Sequence, residues 1–238
     1  MENSGFGRLI SVFTSPGRTF ASIAAKPTIA APLLALILAG LLSSVVITPR
    51  MDMAGMVQEG IERSGREMPP EQVEKITGFY EKFKWPLALG GSLIGQPVFW
   101  LIATLLFWVI LKLCGSDLEF LQAWSVALHA ALPQSLLALL SIPVALTHST
   151  IGYDEVKSGS FLKSNPAAFL PKGASPVVTS LLSNIDVFTI WTIILLAIGY
   201  GIVARTKRGT TWMAVSAVWL FWILVKAVPA AMQGMAAK

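Results

Sequence analysis

Two histidines, one cysteine and thirteen acidic residues are the groups from which this chain would build a reactive centre. The histidines, His129 and His148, stand 148 − 129 = 19 residues apart, and no HExxH or Cys/His cluster gathers them into a metal site. Cys114 alone excludes a disulfide framework and a multi-cysteine metal site. The run Gly199-Tyr200-Gly201-Ile202-Val203-Ala204 has the spacing of a dinucleotide turn, but it closes an apolar stretch and is followed by Arg205 instead of a βαβ helix. No GxSxG elbow or phosphate-cradling GKS/GKT loop occurs. Tyr153-Asp154 resembles one half of an intramembrane aspartyl protease, yet it sits in a loop and no second aspartate lies inside an apolar stretch. The expectation is therefore no catalytic residues, no cofactor and no metal.

Polar groups inside apolar stretches remain. Gln96-Pro97 interrupts one such stretch and Pro133-Gln134 another. Counted from Gly115, Gln96 is 115 − 96 = 19 positions away and Gln134 is 134 − 115 = 19, so at about 1.5 Å per residue the two reach similar depth. Each proline frees a carbonyl one turn earlier and invites a kink. These residues make either a polar pocket between kinked helices or a structural hydrogen bond across a hairpin, worth about 0.6 kcal/mol in membranes. His129 would be a proton relay or, lacking a carboxylate partner, a neutral ring bonded to a neighbouring helix. Gly91 and Gly95 form a GxxxG stripe for close helix packing, inside the bundle or between copies.

The elements that must position these groups follow from composition. Of 238 residues, 54% are hydrophobic and 13% charged, with mean hydropathy +0.67. A soluble domain carries about 25% charged residues, and disordered chains are poor in apolar residues. An all-α integral membrane bundle is expected. A span needs about 20 apolar residues, and five are expected, at about 29–47, 86–113, 121–146, 186–203 and 211–228, within a membrane domain of residues 28–228. Residues 49–85 and 147–184 form long connections, the first with a helix from about Pro70 to Lys84, the second with a short one near Ser175–Ser183. Gly115 ends one helix of a tight hairpin, and Ser116 with Glu119 is expected to cap the next. Residues 1–27 read as two short amphipathic helices, with Phe6, Leu9, Ile10 and Phe13 on an apolar face and Arg8 on another. They lie in the membrane interface or pack on the spans.

The +5 net charge fits retained cytoplasmic Lys and Arg better than nucleic-acid binding. The basic turn Arg205, Lys207 and Arg208, with Arg8, Arg18, Lys26 and Lys112, is assigned to the cytoplasm. The N-terminus is then cytoplasmic, the C-terminus and both long connections extracytoplasmic, in a bacterial inner membrane.

Three segments in order give the chain a resemblance to bacterial members of the Yip (Ypt-interacting-protein) family over about residues 8–228. They are Leu9-Ile10-Ser11-Val12-Phe13-Thr14-Ser15-Pro16-Gly17-Arg18-Thr19-Phe20 with Lys26-Pro27; Gly115-Ser116-Asp117-Leu118-Glu119-Phe120 leading to Ala131-Leu132-Pro133; and Asp186-Val187-Phe188-Thr189-Ile190-Trp191 running into Gly199. The resemblance implies five spans, a cytoplasmic N-terminus and no known catalysis. Eukaryotic relatives bind Rab-type GTPases and act in vesicle traffic. Their long N-terminal region and Asp-Leu-Tyr-Gly-Pro motif are not matched here, so GTPase binding is not carried over. The expected function is to bind or organise lipids, other membrane proteins or further copies of the chain. The alternative is a transporter or permease component using the Gln96/Gln134 pocket. Five spans without an inverted repeat or an embedded charge pair weigh against coupled transport.

Overall fold

The computed structural model describes residues 5–65, 67–158, 162–171 and 174–236. Among them the regular elements are helices, with one isolated bridge between Met51 and Ile151. In order they are α1 (Gly5–Thr14), α2 (Pro16–Ala25), α3 (Ala30–Ile47), α4 (Met53–Arg63), α5 (Pro70–Gly90), α6 (Gln96–Leu113), α7 (Phe120–Ala130), α8 (Leu132–Leu146), α9 (Tyr153–Ser158), α10 (Pro176–Leu182), α11 (Val187–Val203) and α12 (Arg208–Ala236). Among the described residues four helical stretches are long and apolar enough to cross a membrane, Ala30–Arg50, Pro70–Leu113, Phe120–Leu146 and Arg208–Ala231. A fifth is reached when α10 and α11 count as one bent span.

Proline and glycine mark the interruptions inside these stretches. A π-helical turn at Gly91–Gly95 joins α5 to α6, and Pro97 falls at the start of α6. The third stretch breaks at Ala131, just before Pro133. A proline within a helical stretch removes an N–H and loosens the turn before it. Pro70–Leu113 runs 44 residues, more than twice the about 20 that one span needs.

The chain forms two compact units. The first comprises Met1–Gly40, Ser92–Leu137 and Phe188–Phe221. Its core holds Val12, Phe20, Ile23, Leu36, Leu111, Leu128, Leu195 and Tyr200. α1 and α2 pack on each other and on α7. Phe13 meets Trp191 edge-on at 5.2 Å. Phe6 and Ile10 stay over 70% exposed, so α1 buries one face and leaves an apolar one open.

The second unit comprises Leu41–Gly91, Ala138–Val187 and Trp222–Lys238. Here the two long connections are sewn together. Asp52 N–H donates to Ile151 O at 3.1 Å and Ile151 N–H to Arg50 O at 2.7 Å. The Asp52 carboxylate accepts from Gly55 N–H at 2.9 Å and starts α4, a helix where sequence pattern alone gives a loop. The Arg63 guanidinium lies 5.1 Å over the Tyr153 ring. Lys226 Nζ donates to Asn184 Oδ1 at 3.0 Å.

Candidate functional site

The densest polar constellation of the first unit grows from a backbone problem. α2 ends at Ala25 before Lys26-Pro27, and the last carbonyls of a helix have no partner within it. Pro27 contributes no N–H. Side chains from two other helices supply the missing donors.

Arg8 of α1 comes first. Its guanidinium donates to Lys26 O at 2.7 Å, Ser22 O at 3.2 Å and Thr28 Oγ1 at 3.2 Å. The residue is 2% exposed. Burial lowers its pKa from the ordinary arginine value, and the group stays charged. The polar face expected for Arg8 is thus buried, because two carbonyls and a hydroxyl converge on it.

α7 supplies the rest. Gln122 Nε2 donates to Ala24 O at 2.9 Å, while its Oε1 accepts from Glu119 N–H at 3.1 Å. Ser125 Oγ donates to Thr28 O at 2.8 Å and accepts from Thr28 N–H at 3.1 Å. His129 Nδ1 faces Ser125 O at 2.8 Å, which assigns the proton of the neutral ring to Nδ1. Its Nε2 is buried with no partner. Gln122, Ser125 and His129 follow i, i+3, i+7 spacing and lie on one face of the helix.

α11 closes the cluster. Tyr200 is fully buried, packs its ring tilted against Phe107 at 5.0 Å and donates to Ala123 O at 3.2 Å. Gly199 makes the approach possible. A Cβ there would lie 2.7 Å from Val126 Cγ1 and 2.9 Å from Phe20 Cδ1. Ser116 is not the cap expected of it. Glu119 and Gln122 form the capping box of α7, and Ser116 Oγ instead donates to Ala204 O at 2.9 Å while accepting from Leu118 N–H at 3.1 Å.

Beside this clasp, between the 114–119 turn and the 203–207 turn, lies a groove of about 640 Å³. Asp117, Glu119, Arg205 and Lys207 line it and are exposed. None of the four forms an ion pair among the described residues. Arg205 takes a left-handed φ of 52°, unusual for a residue with a Cβ.

The glutamines receive separate surroundings. Gln134 Nε2 approaches Thr192 Oγ1 of α11 at 3.4 Å. Gln96 points its Oε1 at α3, 3.3 Å from where a Gly40 Cβ would stand, and that oxygen is buried without a partner. The tight contact with α3 falls at Gly40, where a Cβ would also meet Ser92 Oγ at 3.0 Å. Gly91 and Gly95 are exposed, and a Cβ at Gly91 would touch nothing within 4 Å. Gln122, Ser125 and Gly40 escape the sequence reading, and Arg8 is read there only as a polar-face residue. The signal that points to two of them is the polar stripe Gln122, Ser125, His129 in an otherwise apolar helix.

The sequence model of the Yip1 domain matches residues 10–228. The chain is 26% identical over 217 residues to the membrane protein YknW of Bacillus subtilis (strain 168), covering 91% of this chain and 86% of that one. No solved structure matches.

Proposed function

Because the chain belongs to the Yip1 domain family of membrane proteins, we propose that it works by binding and organising membrane lipids and other membrane proteins, without catalysis. One observation carries the reading: four polar side chains that hold the clasp of the first unit together are spent on backbone carbonyls. Arg8, Gln122, Ser125 and Tyr200 each donate to a carbonyl of another helix or its end. A catalytic or coupling site would keep such groups facing a reacting atom or an ion path. The apolar stripe Leu34, Leu38, Leu42 and Val45 of α3 is more than half exposed, a surface suited to acyl chains or a neighbouring span. We place the protein in a bacterial inner membrane with the N-terminus and the Arg205–Arg208 turn cytoplasmic, and residues 1–27 partly at the interface.

Native mass spectrometry of the purified protein tests the function. Retained lipids or co-purifying membrane proteins are the expected result, and a bare monomer under all mild conditions would end the reading. The native Cys114, exposed at the start of the 114–119 turn, tests orientation. It should resist impermeant maleimide in intact cells and react after permeabilisation, whereas a cysteine placed at the exposed Thr150 in a Cys114→Ser background should react at once. The second reading, a permease component, draws on the unpartnered Gln96 Oε1. Substrate flux in vesicles that stops in Gln96→Leu would favour it.

A further inference from the structure

The groove between the 114–119 and 203–207 turns presents both signs of charge across one space. Asp117 and Glu119 come from one turn, Arg205 and Lys207 from the other. None of the four is paired with another charge among the described residues, and a space of about 640 Å³ lies between the two turns. Glu119 also accepts from the backbone in the capping box of α7, which fixes its place on the wall. The helix ends add to the pattern. The groove collects the C-terminal end of α6 at Cys114 and of α11 at Val203 and Ala204, where partial negative charge gathers, and Thr210 in the first turn of α12, where the charge is positive.

A ligand that fits this groove must itself be zwitterionic. An anion alone would meet Asp117 and Glu119, and a cation alone would meet Arg205 and Lys207. A phosphate fits the basic wall, since arginine and lysine are the usual phosphate ligands. The cationic end should be a primary ammonium. Its N–H groups match carboxylates, while a quaternary ammonium prefers an aromatic cage, and no Phe, Trp or Tyr lines the groove among the described residues. The groove also lies at the ends of apolar helices, the level of lipid headgroups.

We propose that this groove binds a phosphoryl-ethanolamine group, the headgroup of an aminophospholipid, with Arg205 and Lys207 on the phosphate and Asp117 and Glu119 on the ammonium. The proposal rests on the lipid-binding reading above and names the lipid and its site. The same zwitterion exists as a soluble ester, and the test separates the two sources.

Cys114 lines the groove, is exposed and is the only cysteine in the chain. Its reaction rate with a water-soluble maleimide reports occupancy in the full-length protein, reconstituted in nanodiscs. Three bilayers are compared: phosphatidylcholine alone, phosphatidylcholine with phosphatidylethanolamine, and phosphatidylcholine with phosphatidylglycerol. Phosphatidylethanolamine should slow labelling roughly fivefold, the upper range for one exposed ion pair, and phosphatidylglycerol should not. The slowing should vanish in Asp117→Asn/Glu119→Gln and in Arg205→Gln/Lys207→Gln. Each variant is compared with its own rate in pure phosphatidylcholine, because neighbouring charge sets the thiolate fraction, and a cooperative thermal unfolding transition in detergent shows that it folds.

Slowing by soluble phosphoethanolamine in pure phosphatidylcholine, with none from the lipid, upholds the chemistry and assigns the source to the free ester. Slowing that survives the carboxylate variant reflects a bilayer effect and overturns the proposal. Equal slowing by phosphatidylglycerol overturns it too, because the site then reads only negative charge. Lipid retained in native mass spectrometry with Cys114 labelling indifferent to headgroup removes this site and leaves the general reading standing. A bare monomer, with neither lipid nor membrane protein retained, removes the general reading as well.

Discussion

The first and third apolar stretches look alike by length and behave as opposites. Over its 18 most apolar residues Ala30–Arg50 has mean hydropathy 2.4 and 22% of them are buried; for Phe120–Leu146 the values are 1.6 and 61%. The less apolar helix is the more enclosed. Water teaches the reverse rule, but a bilayer offers no hydrophobic drive between helices, because lipid tails are as apolar as leucine. Leu34, Leu38, Leu42 and Val45 can therefore remain outside. Gln122, Ser125 and His129 need partners, and Ala123, Ala127, Ala130 and Ala131, all fully buried, let neighbouring helices come close enough to supply them. Polar content and small residues, not hydropathy, pick the central helix.

The comparison breaks most severely if Arg8 can be removed without harm. Arg8→Met should cost about 3 kcal/mol, since charged donors contribute about 1.5–3 kcal/mol per bond and the acceptors left behind are partly buried. Thermal unfolding in detergent measures the loss. Hydrogen exchange should show residues 16–28 opening first. Arg8→Lys should recover part of the loss, because an ammonium cannot span acceptors on both Ser22 and Lys26 as the planar fork does. Wild-type stability in Arg8→Met would mean that α2 is held by apolar packing alone.

Gly199→Val tests the close approach directly. The added side chain meets Val126 and Phe20 well inside contact distance, so about 2 kcal/mol of overpacking is expected, and about half of that for Gly199→Ala. The same unfolding assay should place both below wild type in that order. A Ser125→Ala variant should lose about 1 kcal/mol, as both bonds to Thr28 disappear together. Leu38→Ala, on the exposed stripe of α3, should change stability by less than about 0.5 kcal/mol. A Leu38 effect equal to that of Ser125 would place a protein partner on the α3 stripe.

What the sequence makes legible is set by the range of the forces. Span existence depends on composition within about 20 residues, and the expected stretches coincide with helices. The breaks near Pro97 and Pro133 are local too, since proline removes its own N–H. Ser116 has the spacing of a cap, but its partner, Ala204 O, lies 88 residues away and no local pattern announces it. Periodicity counts Arg8 as polar and so places it on the open face, whereas the carbonyls that bury it gather only once α2 has ended before Pro27. α4 hides because Gly55 and Gly60 interrupt its apolar pattern, although Asp52 stands ready to start it.

The smallest effects concern the two glutamines, which equal counting from Gly115 puts at one depth. Their surroundings differ: Gln134 has a long bond to Thr192, and Gln96 leaves Oε1 buried and unbonded against Gly40. Gln134→Leu should cost about 0.5 kcal/mol, the average of a membrane side-chain bond. Gln96→Leu should have the opposite sign and stabilise slightly, because an unsatisfied buried acceptor is lost and leucine suits the site. The double variant should equal the sum within about 0.5 kcal/mol if the amides act separately. Coupling above about 1 kcal/mol would mean a shared polar pocket after all. If Gln96→Leu stabilises the fold while lipid retention or flux is lost, the bare carbonyl is held in place for a ligand, and the permease reading gains what the clasp reading loses.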